Sequence, residues 1–121
     1  MQAATVFARP LPDGGTIGVA APASPYESRS DVLRSVEWWE SQGYRVKLAE
    51  HVLAQDDFVA GSAADRGADL TGLFADPEVD VVQCLQGGYG SEPVIPHLDF
   101  DAIAANPKPL VGFSGITALH V

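Results

Sequence analysis

The chain has 121 residues, 46% hydrophobic and 19% charged, which fits one globular domain with its own core and excludes disordered and fibrous classes. Sixteen acidic against seven basic residues give a net charge of -9, so we expect neither nucleic acid nor a membrane surface as a partner. The single cysteine excludes an internal disulfide and leaves no Cys/His cluster for a metal site.

The first half of the chain predicts two strands around a helix. A Pro- and Gly-rich leader precedes the apolar run 16–20, which predicts a buried strand. Ser30 is a candidate N-cap for an amphipathic helix that Gly43 ends. The apolar positions of that helix recur at i, i+4 and i+7: Val32, Val36 and Trp39. The alternation of polar and apolar residues over 44–48 predicts a second strand.

The middle of the chain carries the clearest element signals. Ser62 followed by Asp65 approximates a capping box and predicts a helix that closes at Asp76-Pro77. The run 79–85 is the strongest buried-strand signal, and it leads directly into the glycine loop 86–90.

The last third predicts short elements. Residues 93–105 have room for one or two short helical turns, and 108–113 predicts a last strand. Residues 115–121 predict the first turns of a further helix. Strands that alternate with helices predict a three-layer α/β domain, flavodoxin-like or Rossmann-like, with a parallel sheet between two helical layers.

Two loops follow strands at the edge of the sheet where α/β proteins bind ligands: 86–90 and 113–116. Ser114 lies between a strand end and a helix start, in the field of a helix N-terminus, which suits a nucleophile. From the spacing alone an ordinary N-cap is the simpler interpretation. The segment 112–116 is also not a GxSxG elbow, because its second glycine comes one position early.

Eight segments of the chain form a family pattern when they are taken together, in the order 15–22, 65–70, 74–79, 87–90, 98–101, 106–108, 112–114 and 116–120. They resemble the LD-carboxypeptidase family of serine peptidases, which also contains the microcin-immunity peptidases. The resemblance covers almost the whole chain but only the first of the family's two domains.

The resemblance implies a serine carboxypeptidase without metal or organic cofactor, whose substrate is a murein-type peptide cleaved at an L,D-bond. Ser114 would attack the carbonyl, and the backbone amides of Gly115 and of Gly87 or Gly88 would bind the oxyanion. Tyr89 is the aromatic residue that we expect to face the ligand. The chain carries neither a signal-peptide pattern nor an apolar run long enough for a membrane span, so we expect cytoplasmic residence.

The family's glutamate and histidine lie in its second domain, so we expect residues 1–121 to supply the nucleophile and the oxyanion site only. His51, His97 and His120 show no partner that would make any of them the base. Two positions depart from the family pattern: Gly115 replaces the usual aspartate after the serine, and Gln86 replaces the usual arginine before the glycines.

Three alternatives stay open at this stage. The glycine loop could cradle a small anion in a binding module, although no GxGxxG pattern or nearby lysine supports a nucleotide. The chain could instead be an inactive interaction domain, or a homodimer through the surface that a second domain would cover. The acidic residues Asp56, Asp57, Asp65 and Asp69 could also be imagined as metal ligands, but helical spacing and solvent exposure explain them better.

Overall fold

The computed structural model describes residues 4–121 and shows one parallel sheet. Its strands run in the order β2-β1-β3-β4. They comprise β1 (Thr16–Ala20), β2 (Arg45–Leu48), β3 (Val81–Cys84) and β4 (Leu110–Val111). The bounds of β1 are those predicted. Strands β3 and β4 are shorter than the apolar runs around them.

The helices alternate with the strands. They comprise α1 (Arg29–Ser41), α2 (Ala63–Ala75), α3 (Phe100–Ala105) and α4 (Thr117–His120), with 3-10 turns at Glu92–His97 and Ser114–Ile116. The predicted short turns between 93 and 105 are therefore the first 3-10 turn and α3. Within residues 4–121, no helix is long and apolar enough to cross a membrane.

The two long helices begin differently. Helix α2 begins after Ser62, whose hydroxyl accepts a hydrogen bond from the Asp65 N–H at 3.1 Å, as the capping pattern predicted. Ser30 was expected to cap α1, and this is wrong because Ser28 holds the N-cap position. The extended backbone of Ser28 directs its carbonyl to the N–H groups of Asp31 and Val32, which starts the helix earlier.

Helices cover both faces of the sheet, so the predicted three-layer α/β arrangement is confirmed. On one face, α1 lies over Val19 and Val46, which line a cavity together with its apolar side. On the other face, Leu73 of α2 packs so closely on β1 that a Cβ at Gly18 would lie 3.0 Å from it. A glycine at this position therefore lets the helix approach the strand.

The strand order creates a crevice between β1 and β3. The chain leaves β1 toward β2 on one side and leaves β3 toward β4 on the other, so the loops after β1 and β3 diverge at the carboxyl edge. Ligands of open α/β sheets bind at such a switch point. The glycine loop 86–90 and the turn at Ser114 both lie at this edge.

Candidate active site

The loops after β1 and β3 are joined by hydrogen bonds that shape the glycine loop. The Ser24 N–H donates to the Gly87 carbonyl at 3.2 Å. The Ser24 hydroxyl accepts from the Tyr89 N–H at 3.1 Å. Gly88, between these two bonds, has a φ of +98°, a conformation that glycine adopts without strain. Ser24 thus fixes the course of the backbone through both predicted oxyanion glycines.

Ser114 stands at the start of a 3-10 turn in a left-handed conformation, with a φ of +56°. A left-handed non-glycine residue is strained, and such residues concentrate at functional sites. Phe113 holds the N-cap position of the turn. The N-cap interpretation of Ser114 is therefore wrong, since a capping residue has an extended backbone rather than a left-handed one. The left-handed serine at the start of this turn is compatible with a strained nucleophile turn, although the second glycine comes one position earlier than in a GxSxG elbow.

The glycine loop lies directly against the Ser114 turn. A Cβ at Gly87 would lie 2.8 Å from the Phe113 carbonyl oxygen and 3.0 Å from the Ser114 Cβ. A Cβ at Gly115 would overlap the Gly88 carbonyl oxygen. Any side chain at Gly87 or Gly115 would therefore force the two backbones apart. The structure thus brings together all the glycines expected to bind an oxyanion and the serine expected to attack.

Gly115 also explains one departure from the family pattern. An aspartate at this position would carry the Cβ that overlaps the Gly88 carbonyl. The glycine loop therefore occupies the space that the Cβ of an aspartate at position 115 would need. Gly115 is therefore the residue that permits the close approach of the glycine loop to the Ser114 turn.

An open cleft of about 390 Å³ lies beside Ser114. It is lined by Gly88, Tyr89, Gly90, Ser91, Glu92, Pro93, Ser114, Gly115 and Ala118. Tyr89 has 73% of its surface exposed at this cleft, where a bound molecule could contact its ring. A second cavity, of about 440 Å³, lies between α1 and the sheet and does not include Ser114.

Gln86 does not contribute to the cleft. Its side-chain amide donates to the Pro25 carbonyl at 2.6 Å, and the residue lines the cavity beside α1. Where the resemblance implies an arginine, the Gln86 side chain joins the loop after β3 to the loop after β1.

None of the histidines among residues 4–121 lines the cleft. His120 lies on α4 with its Nε2 3.1 Å from the Leu110 carbonyl oxygen. His97 ends the first 3-10 turn and packs its backbone and Cβ against Gly67 of α2. The cleft as described thus combines a serine with backbone donors and has no histidine to act as base.

His51 has a partner that the sequence did not reveal. Its Nδ1 lies 2.8 Å from the Asp69 carboxylate, which also accepts from the His51 backbone N–H at 3.0 Å. The hydrogen bond to Asp69 raises the pKa of His51 above its usual value, against the opposing effect of desolvation. Asp69 is buried, so the expectation that solvent exposure explains it is wrong. The pair ties the loop after β2 to α2.

Cys84 is buried, as predicted, and burial raises the pKa of its thiol to about 12. Such a thiol stays protonated at neutral pH and is a poor nucleophile.

The sequence interpretation assigned no role to Arg66 and Ser91, although both are buried. The Ser91 hydroxyl donates to the carbonyl of Gly115, directly beside Ser114. Arg66 donates to the backbone carbonyls of Gly61, Pro22 and Gly90, of which Gly90 lines the cleft. One signal was available for Arg66: it stands four positions before Leu70 and seven before Leu73, on the apolar stripe of α2.

Comparison with protein families and known proteins gives matches to a single kind of enzyme family. Residues 17–121 match the LD-carboxypeptidase N-terminal domain. A Streptomyces coelicolor relative that carries a carboxypeptidase name is 42% identical over 119 residues, covering 91% of this chain and 36% of the relative. The murein tetrapeptide carboxypeptidase of Pseudomonas aeruginosa is 38% identical over 110 residues, covering 89% of this chain and 35% of that protein.

A solved structure shows the same arrangement of elements. The crystal structure of an MccF-like protein from Bacillus anthracis superposes with a TM-score of 0.89 at 32% identity, covering 95% of this chain and 36% of that one. The chain therefore spans about a third of the length of the proteins that it matches.

Proposed function

Because this chain belongs to the LD-carboxypeptidase family, we propose that Ser114 is the nucleophile of a serine carboxypeptidase. Residues 1–121 would form the nucleophile-bearing part, and the family's second domain would supply the glutamate and the histidine. The single observation that carries this proposal is the strained Ser114 turn in backbone contact with Gly87 and Gly88. A two-part site is consistent with a chain that spans about a third of its relatives.

In the proposed reaction the Ser114 hydroxyl attacks the carbonyl of the scissile peptide bond while the histidine of the second domain takes its proton. Negative charge develops on the carbonyl oxygen. In this proposal the backbone N–H groups of Gly115 and of Gly87 or Gly88 donate to that oxygen, and the close contact of the glycine loop with the Ser114 turn supports the assignment. As the intermediate collapses and the C–N bond breaks, the histidine returns the proton to the leaving amine, so the C-terminal residue is released and an acyl group stays on Ser114. Water, activated by the same histidine, then hydrolyses the acyl ester and regenerates the serine hydroxyl.

We propose a murein-type peptide as the substrate, cleaved at an L,D-bond near its C-terminus. The support comes from the Pseudomonas relative, whose name specifies a murein tetrapeptide. The open cleft beside Ser114 suits a peptide, because it has room on the side of Tyr89 and Glu92 for the residues that flank the scissile bond. The reaction needs no metal or organic cofactor.

Labelling with a serine-reactive fluorophosphonate tests the proposal. The chain is labelled alone and after mixing with the remaining part of the Pseudomonas relative, which would supply the missing base. We expect labelling at Ser114 only in the mixture, because a serine without its base is a poor nucleophile at neutral pH. Ser114→Ala should abolish the labelling, and Ser30→Ala, an exposed serine on α1, should leave it unchanged.

The absence of labelling in a mixture where both parts are folded and associated would reject the serine mechanism. The remaining interpretation would then be a small-anion binding or interaction module built on the same glycine loop.

A further inference from the structure

Arg66 is a buried cation that the proposed reaction does not use directly. It lies on α2 with 4% of its surface exposed, among the residues that face the sheet. Arginine is rarely buried to this extent unless its charge and its donors are satisfied. Burial lowers the pKa of the guanidinium, and the charge of Asp56 partly opposes this effect. Because burying a guanidinium costs free energy, we expect the contacts of Arg66 to have a specific structural role.

Those contacts join three separate segments of backbone. The Nε of Arg66 donates to the Gly61 carbonyl at 3.0 Å. One terminal nitrogen donates to the Pro22 carbonyl at 2.8 Å and also to the Gly90 carbonyl. The acceptors belong to the loop after β1, the segment just before α2 and the end of the glycine loop. A planar guanidinium can hold several acceptors in fixed directions, whereas a lysine ammonium cannot reproduce this fork.

Two short routes lead from these carbonyls, one to the Ser114 turn and one to the glycine loop that lies against it. In the first, Gly90 is followed by Ser91, whose hydroxyl donates to the carbonyl of Gly115. In the second, Pro22 is two residues before Ser24, which bonds the backbone of Gly87 and Tyr89. The first route thus ends at Gly115, a predicted oxyanion donor. The second ends at Gly87, another predicted donor, and at Tyr89, the direct neighbour of Gly88.

Close packing and hydrogen bonds hold the far end of the glycine loop, at Gly90 and Ser91. Gly90 has a φ of +93° and packs so closely that a Cβ there would lie 2.5 Å from Val59 and 3.4 Å from the Arg66 terminal nitrogen. Gly88 and Tyr89, in the middle of the loop, are exposed. A glycine-rich segment with an exposed middle loses its conformation readily unless its ends are fixed.

We propose that Arg66 is a positioning residue for Ser114: its guanidinium fixes the glycine loop so that the backbone N–H groups beside Ser114 stay aimed at one point. This inference rests on the proposed function for its catalytic meaning, but the mechanical part, the fixing of the loop, stands independently. The experiment therefore measures the fixing of the loop and the labelling of Ser114 separately.

The test compares Arg66→Lys with the wild-type chain and with Arg34→Lys, a matched substitution on the exposed surface of α1. Hydrogen exchange of the chain alone is followed in peptides that cover 86–91 and 113–116. We expect Arg66→Lys to accelerate exchange in both segments about tenfold or more, while peptides of β2 and α1 stay as in the wild type. Arg34→Lys should change neither group.

The second readout is labelling of Ser114 in the mixture with the remaining part of the Pseudomonas relative. Arg66→Lys should lower the maximal labelling rate by about 100-fold, the effect expected when oxyanion donors lose their alignment. The probe concentration at half-maximal rate should stay unchanged, because the cleft itself remains. If Arg66 only stabilised the fold, Arg66→Lys would not lower the maximal labelling rate while leaving the probe concentration at half-maximal rate unchanged.

Unchanged exchange at 86–91 and 113–116, or acceleration spread evenly over the whole chain, would overturn the inference even if wild-type Ser114 labels as proposed. If Arg66→Lys does not fold, Ser91→Ala decides, since it cuts the first route one step nearer Ser114. Faster exchange at 113–116 in that variant supports the positioning network, and unchanged exchange overturns it. A wild-type mixture that fails to label would reject the proposed function while the exchange data still decide the mechanical role.

Discussion

Ser114 holds a backbone conformation that costs a non-glycine residue about 1–3 kcal/mol. The conformation persists because the residues around it leave no alternative: Gly87 lies against Phe113 and Ser114, and Gly115 lies against Gly88. A glycine at position 114 would remove the strain and would also remove the hydroxyl. The strain is therefore consistent with a residue retained for its side chain.

This interpretation predicts the relative stability of two variants that both lack the hydroxyl. Ser114→Gly should be more stable than Ser114→Ala by about 1 kcal/mol, the relief of left-handed strain less the added chain entropy of glycine in the unfolded state. Urea denaturation monitored by circular dichroism measures the difference. A Ser114→Ala variant as stable as Ser114→Gly, or more stable, would show that the turn is not strained.

Single residues also mark the limit of what the sequence could predict. The left-handed φ of Ser114 depends on contacts with Gly87, which lies 27 positions away. The Asp69 partner of His51 lies on another element, and the three acceptors of Arg66 lie on separate loops. Such relations come from tertiary packing, so no local pattern encodes them.

At the scale of elements, α2 joins the sheet to the loops of the site, and its two glycines have opposite surroundings. A Cβ at Gly67 would lie 2.6 Å from the His97 Cβ and 2.8 Å from the His97 carbonyl oxygen. At Gly72 the added Cβ meets no atom within 4 Å beyond its chain neighbours and the backbone of its own helix, and the residue is exposed. Gly67 therefore permits the first 3-10 turn to pack on α2, whereas Gly72 has no packing function.

We expect Gly72→Ala to stabilise the chain by about 0.5–1 kcal/mol, because alanine is the better helix former. Gly67→Ala gains the same propensity but must displace His97, and overpacking costs about 1–3 kcal/mol, so this variant should be less stable than the wild type. Thermal unfolding of the two variants checks the order. Equal effects of the two substitutions would mean that the 3-10 turn does not pack tightly on α2.

Elements were predictable where a local signal fixes them. Strand β1 is a short buried run between a turn and a proline, and α2 has a capping serine at its start and Asp76-Pro77 at its end. Strand β4 has only two residues, because it pairs with β3 alone and just Leu110 and Val111 find partners there. The apolar run 108–113 alone could not show that only two of its residues would pair with β3.

At the scale of the whole molecule, the site has a closely packed backbone and a cleft that is open toward solvent. Phe58, Tyr89 and Phe113 each leave more than 70% of their surface exposed, and the last two flank the Ser114 turn and the glycine loop. Apolar side chains exposed around a functional cleft are typical of a surface that binds a substrate or another domain. This agrees with the proposed division of the reaction between two parts of the family's chain.

The most direct test of the central claim joins residues 1–121 to the remaining part of the Pseudomonas murein tetrapeptide carboxypeptidase and measures release of the terminal residue from a murein tetrapeptide by mass spectrometry. We predict hydrolysis by the fusion, none by residues 1–121 alone, and a loss of about 10⁴-fold or more with Ser114→Ala. Hydrolysis that survives Ser114→Ala in the folded fusion would show that Ser114 is not the nucleophile, and would contradict the account.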